Sequence, residues 1–148
     1  MCVFSFLEGS RLVPKKLKQS QEFAKKLGYP AFSHHLTPRP KGFLATLRGL
    51  EGKIESIYDL TIAYEENGTR IPSVWDMIRM SVDHDIYTYV RRIPIESLPE
   101  SDEDRTRWCW KLFWEKDELL KFFYGNKRFP SEKELDSILS TCPQEFRV

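Results

Sequence analysis

Apolar positions fall into two rhythms, one repeating every second residue and one every three to four, and the switches between them mark the elements. Cys2 to Phe6 is a short apolar run with Val and Phe, a pattern that predicts a buried strand, and Glu8-Gly9-Ser10-Arg11 breaks it with a loop. A domain that opens in mid-strand implies strand neighbours upstream. Pro14 suits the first turn of a helix carrying Leu17, Phe23, Ala24 and Leu27, with Gly28 as its C-terminal cap and Pro30 just beyond. Residues 29–40 are Pro-rich and predict irregular chain. A short helix follows from Lys41 to Leu50, with Phe43, Leu44, Leu47 and Leu50 on one side. Ile54 to Tyr64 predicts a strand, and Glu65 to Thr69, with Asn67-Gly68, a turn. Ser73 to Met80 fits one or two helical turns. His84 to Arg92 alternates as a strand, with Ile86, Thr88 and Val90 facing one way and Tyr87, Tyr89 and Arg91 the other.

After a linker from Pro94 to Asp102 comes the longest helix, Glu103 to Phe123. Cys109, Leu112, Phe113, Lys116, Leu119, Leu120 and Phe123 keep the spacing of a buried stripe. The tail holds Phe129-Pro130 and a short helix near Ser131 to Leu139. Strands separated by helices predict an α/β fold, a partial sheet, mostly parallel or mixed, with flanking helices and an open edge.

Composition narrows the function classes. A length of 148 residues is one domain, long enough to bury a core without disulfides. The 23 basic and 22 acidic residues leave a net charge of +1, so no global field holds nucleic acid and any anion site is local. Cys2, Cys109 and Cys142 are an odd, widely spaced set, which excludes a zinc site of CxxC type and points to a reducing compartment. Cys109 falls on the buried stripe and reads as a core hydrophobe. No run of eighteen apolar residues occurs.

Candidate chemistry concentrates in Glu8-Gly9-Ser10-Arg11, at the end of the first predicted strand, where α/β proteins place ligands. Gly9 allows close approach of a ligand to the backbone, and Ser10 offers a hydroxyl. The planar fork of Arg11 matches two phosphate oxygens, while Glu8 can accept from Arg11 or from a substrate hydroxyl. The spacing is not that of a Walker loop.

The segment Phe6-Leu7-Glu8-Gly9-Ser10-Arg11 resembles the third block of the glycerolipid (lysophospholipid) acyltransferases, Phe-Pro-Glu-Gly-Thr-Arg, with Leu7 for proline and Ser10 for threonine. Leu36-Thr37-Pro38-Arg39-Pro40-Lys41-Gly42-Phe43 is similar to the fourth block of the eukaryotic-type branch. Ile57-Tyr58-Asp59-Leu60-Thr61, Arg91-Arg92-Ile93-Pro94-Ile95, Leu98-Pro99, Trp108, Glu115-Lys116-Asp117 and Phe129-Pro130 follow in the family's order. The resemblance divides the chain into the C-terminal part of the catalytic domain (1–50), an acyltransferase C-terminal region (51–130) and a tail (131–148).

The resemblance implies transfer of an acyl chain from acyl-CoA to a lysophosphatidate or related lysophospholipid. Arg11 would clamp phosphate and Glu8 orient it. Pro38, Arg39 and Lys41 would form the far wall, the two cations meeting CoA phosphates or the lipid headgroup. It also implies a membrane surface as partner, at the cytoplasmic face of the endoplasmic reticulum or of a bacterial inner membrane, and no cofactor beyond acyl-CoA as substrate. The family's general base lies in a His-x-x-x-x-Asp block. Here the fifth residue after His34 is Arg39, after His35 Pro40 and after His84 Tyr89, so no catalytic residue is assigned and the chain alone is expected to be inactive. The alternative is a non-catalytic homologue that binds lipid, or a partner such as a full-length relative or the N-terminal half. His34 and His35 read as loop supports. Trp110 and Trp114, off the buried stripe, read as packing against a neighbour. The competing reading is a membrane-contact face flanked by Arg105, Arg107, Lys111 and Lys121. Asn67-Gly68-Thr69 fits a glycosylation sequon of little weight.

Overall fold

The computed structural model describes residues 2–64 and 85–146. The predicted turn at Glu65–Thr69, its sequon, the helical turns at Ser73–Met80 and His84 lie outside the described residues. The order is α1 (Pro14–Lys26), α2 (Pro40–Gly49), β1 (Ser56–Tyr64), β2 (Ile86–Pro94), α3 (Asp102–Asn126) and α4 (Glu132–Ser140), with 3-10 turns at Ile95–Ser97 and Gln144–Phe146.

Local chemistry sets the helix ends. Pro14 and Pro40 open α1 and α2, where a missing N–H costs nothing. Gly28 adopts φ +76°, which lets Tyr29 N–H donate back to the Ala24 carbonyl at 3.0 Å and closes α1. The Ser101 hydroxyl accepts from Asp104 N–H at 3.0 Å, and Asp102, Glu103 and Asp104 sit at the positive end of the α3 dipole. Ser131 and Glu134 form a capping box on α4. Arg128 also holds Glu134, and its two hydrogen bonds, with the Ser131 N–H, keep that carboxyl well below the usual carboxylate range.

The sheet departs from expectation. It is two-stranded and antiparallel among the described residues, with Asp59 opposite Arg91 and Ala63 opposite Tyr87. The predicted strand at Cys2–Phe6 is irregular chain with no ladder partner among the described residues, and Phe4 and Phe6 are more than four-fifths exposed. Its sequence has strand character, but a strand needs a neighbour to bond to. The α/β class holds, and the one pairing among the described residues is antiparallel rather than parallel. The alternation of β2 is as read, but its Tyr87, Tyr89 and Arg91 side turns inward, while Ile86 and Val90 face out.

The long helix α3 organises the core. Its stripe is buried as predicted, from Cys109 to Phe123. Trp110 and Trp114 are buried too, so they form no membrane-contact face. Trp110 stacks on Tyr29 with ring centroids 4.4 Å apart, and Phe32 and Phe146 complete the cluster with Phe113 and Ala24. On α1 only Ala24 is buried, and Phe23 and Leu27 remain half-exposed. A second cluster joins Ala63 of β1 to Leu120 and Phe123, flanked by Tyr87 and Phe129. Phe43 of α2 stacks on Trp108 at 5.7 Å.

Between the two clusters lies a buried charge network. Lys116 Nζ donates to Asp59 Oδ1 and to the Leu60 carbonyl, each at 2.6 Å. Arg91 bonds Asp59 through Nη2 at 2.9 Å and Glu115 through Nη1 at 2.5 Å. Burial opposes the Arg91 charge, but Glu115 and Asp59 outweigh it and raise its pKa. Removing one member strands the others in a poorly solvated place. Asp59→Ala leaves Lys116 without a counter-charge, held only by the Leu60 carbonyl, and half of the Arg91 fork unpaired, and is expected to cost about 3–5 kcal/mol. Lys116→Met leaves Asp59 still paired with Arg91 and costs less. Urea denaturation of the two variants checks the order. Burial pushes the Cys109 thiol up to about 12, so at pH 8 it stays protonated and unreactive. Alkylation at that pH is expected to label exposed Cys2 first and Cys109 only after unfolding, as read by peptide mass spectrometry.

Candidate functional site

Two loops meet where the chain leaves its N-terminal segment. Arg39 N–H donates to the Leu7 carbonyl at 2.8 Å, tying residues 35–39 to the Glu8–Arg11 loop. Glu8 completes the joint: its Oε1 is 2.8 Å from His35 Nδ1, and its Oε2 accepts from Leu36 N–H at 3.4 Å. The sequence reading had Glu8 serving Arg11 or a substrate. In the structure its carboxylate is held by the other loop. Gly9 N–H donates to the Phe6 carbonyl at 3.1 Å, and its φ of +66° is the left-handed turn that glycine adopts without strain. A Cβ at Gly9 would lie 2.8 Å from Arg39 Nε, so the absent side chain is the space the Arg39 guanidinium crosses.

The second loop is fixed from below. Asp117, on α3 and 1% exposed, accepts from Ser33 N–H at 2.9 and 3.0 Å and from His34 N–H at 2.6 Å, with Lys121 Nζ 3.1 Å away. Thr37 N–H donates to Ser20 Oγ on α1 at 2.7 Å. The His35 ring meets Phe113 edge-on at 5.7 Å, and the His34 ring lies 5.1 Å from Tyr124. Both histidines therefore support loops, as read from the sequence. Buried Asp117 and the Glu8–His35 joint were not identified there. The signal for Asp117 was visible in hindsight, since it is a carboxylate beside Lys116 on a helix whose apolar stripe passes through that turn.

The structure brings Glu8 and Gly9 together with Arg39 and buries Pro38. Arg11 and Lys41 flank this joint two residues beyond Gly9 and Arg39 respectively. Neither makes an ion pair with a described residue, and Arg39, Arg11 and Lys41 are all exposed. Ser10 is half-buried beside them. With Glu8 engaged by His35, the Arg39 guanidinium lies across the Gly9 turn, and Arg11 and Lys41 follow two residues along each loop, none of the three paired with a described carboxylate. A cleft of about 400 Å³ lies elsewhere, between β2 and α3, lined by Arg92, Trp108 and Lys111 among others. It contains no residue of the two loops. The candidate site is thus an open junction of loops rather than a cavity. Among the described residues no cluster of His, Cys, Asp or Glu can hold a metal, and no helix is long and apolar enough to cross a membrane.

Residues 77–143 match the family described as "Acyltransferase C-terminus". The chain is 37% identical over 123 residues to 1-acyl-sn-glycerol-3-phosphate acyltransferase delta of Homo sapiens, covering 83% of this chain and 32% of that protein. It is 35% identical over 127 residues to the probable 1-acyl-sn-glycerol-3-phosphate acyltransferase 5 of Arabidopsis thaliana, covering 86% and 33%. The chain is thus similar to 1-acyl-sn-glycerol-3-phosphate acyltransferases along most of its length. It corresponds to the C-terminal portion of these proteins and spans about a third of the length of the curated relatives it matches. The gamma enzyme of Pongo abelii matches likewise, 31% identical over 128 residues, with 86% of this chain and 33% of that protein covered. No solved structure matches.

The joint itself is open to test. Gly9→Ala forces a Cβ into the left-handed region and against Arg39, whose exposed side chain can swing aside. The expected loss is about 1–2 kcal/mol, mostly from the backbone. Urea denaturation measures it, and Gly9→Asn, which tolerates positive φ better, is expected to lose less.

Proposed function

We propose that this chain provides the phosphate-holding half of an acyltransferase of phospholipid synthesis, one that moves an acyl chain from acyl-CoA to lysophosphatidate or a related lysophospholipid. The observation that supports this reading is the joint of the two loops. Glu8 is occupied by its bonds to His35 and Leu36, Arg39 crosses the Gly9 turn, and Arg11 and Lys41 stand two residues along the same loops, all three without a carboxylate partner among the described residues. A phosphate monoester needs such a set. Arg11 gives a bidentate fork and Lys41 a point charge, while Arg39, lying across Gly9, can reach a second phosphate, either that of the headgroup or one of acyl-CoA. Glu8 then acts as a positioning group that holds the second loop in place, and Ser10 offers a hydroxyl. Because the acceptor is a lipid, the site would work at a membrane surface, on the cytoplasmic side.

Acyl transfer also needs a base on the acceptor hydroxyl. None of His34, His35 and His84 is followed at the fifth residue by Asp, so the chain by itself is expected to hold substrate without turning it over. This same observation favours a second reading, a homologue that binds lipid or a partner and does no chemistry.

Titration of the purified chain with lysophosphatidate below its micellar concentration tests the clamp. Arg11→Ala is expected to weaken binding at least about tenfold, or 1.4 kcal/mol, and monoacylglycerol, which lacks the phosphate, is expected not to bind. Equal affinity of Arg11→Ala and wild type would remove the clamp. Turnover of lysophosphatidate with acyl-CoA by the chain alone would show that a base lies within it.

A further inference from the structure

The two faces of the sheet are treated differently. Ile57, Asp59, Thr61 and Ala63 pair with Ile93, Arg91, Tyr89 and Tyr87 and lie toward α3. The other face carries Tyr58 opposite Arg92, Leu60 opposite Val90, Ile62 opposite Thr88 and Tyr64 opposite Ile86. Tyr58, Leu60, Ile62, Ile86 and Val90 are between 45% and 61% exposed. A solvated face of an antiparallel sheet alternates to polar residues, yet this one has a single charge, Arg92, in its four rungs.

A second surface of the same kind lies at the N-terminal segment. Val3, Phe4 and Phe6 are exposed, and residues 2–5 have no ladder partner among the described residues. Both surfaces ask for apolar contact, and this segment and the sheet edges that are open among the described residues also ask for backbone hydrogen bonds. That second demand selects the occupant. A bilayer covers apolar side chains but offers nothing to unpaired N–H and C=O groups. A protein surface bearing strands satisfies both. In the curated relatives this region lies in the C-terminal portion and makes up about a third of a longer chain, so there the sheet is joined to preceding protein.

We propose that the outer sheet face, Tyr58, Leu60, Ile62, Ile86 and Val90, together with the Cys2–Phe6 segment, docks the N-terminal part of an acyltransferase of this family. The proposal rests on the similarity to these relatives and on the shape of this surface, and it stands independently of the phosphate clamp. The Glu8–Arg11 loop directly follows the segment that would be captured, so docking would set the two cationic loops beside the part of the relative that precedes them.

The test is coexpression of the full 148-residue chain with the affinity-tagged part of the human delta enzyme that precedes the region this chain matches. The expected result is a stoichiometric complex. Leu60→Lys and Val90→Lys are expected to lower the captured chain at least tenfold, while Thr88→Ser and Arg11→Ala are captured as well as wild type. Both Lys positions are half-exposed, and unchanged thermal melting of the isolated variants separates loss of docking from loss of fold. If a Lys variant does not fold, Leu60→Ser and Val90→Ser carry the same expectation at reduced size. Absence of capture, or equal capture of folded Leu60 and Val90 variants, overturns the proposal. It is also overturned if sedimentation of the chain alone shows a dimer that Leu60→Lys dissociates. Flotation of the chain alone with phosphatidylcholine–phosphatidylserine vesicles, lost in Leu60→Lys, overturns it in favour of lipid. Failure of Arg11→Ala to bind lysophosphatidate would leave this result unaffected.

Discussion

Lys116 and Asp117, neighbours on the middle turn of α3, hold the rest of the chain in place. Lys116 reaches Asp59 and the Leu60 carbonyl and so attaches the sheet. Asp117 gathers the Ser33 and His34 N–H groups and so attaches the loop that carries the candidate site. Each charge is almost wholly buried, a position that costs several kcal/mol unless its hydrogen bonds are complete. Here they are, and the geometry is correspondingly narrow. A helix one residue out of register would aim neither group at its partner. Bonds to a charged acceptor contribute about 1.5–3 kcal/mol each, a large share of the margin by which a domain this size stays folded.

From that turn the constraint passes outward. Asp117 fixes residues 33–34, Ser20 fixes Thr37, and the segment between them can reach Glu8 and Leu7 only in one way. The Glu8–His35 pair is therefore part of the scaffold, and the cations around it are left free of scaffold duty. That division of labour is what an anion site requires. Carboxylates are used up internally by N–H groups and imidazole, and guanidinium and ammonium groups remain for a ligand. The aromatic cluster of Tyr29, Phe32, Trp110 and Phe146 supplies the apolar weight beneath it, and Phe146 brings the end of the chain into the same core.

The sheet shows the opposite condition. Its inner face packs toward α3, and its outer face has more apolar surface than two strands in water ordinarily carry. A two-stranded ribbon is marginal by itself and gains its order here from the charge network and from Ala63 against Phe123. The exposed rungs and the Cys2–Phe6 segment are the surfaces on which the proposed docking would act.

What the sequence by itself determined was local. The stripe from Cys109 to Phe123, the proline and glycine that bound α1, the strand composition of β1, the alternation in β2, and the two loop motifs with Arg11 and Arg39 were all legible. Helix period, capping and residue chemistry are set within a few positions along the chain. Tertiary structure decided the rest. Alternation told which residues of β2 share a face but not which face turns inward, and the inward one carries Tyr87, Tyr89 and Arg91 because Asp59, Glu115 and Phe123 wait there. Strand direction depended on a pairing partner, as did the fate of Cys2–Phe6. The bond of Glu8 to His35 spans 27 residues, and those of Asp117 span more than 80. No short pattern records such contacts, because they exist only once α3 has brought the distant segments within hydrogen-bonding reach.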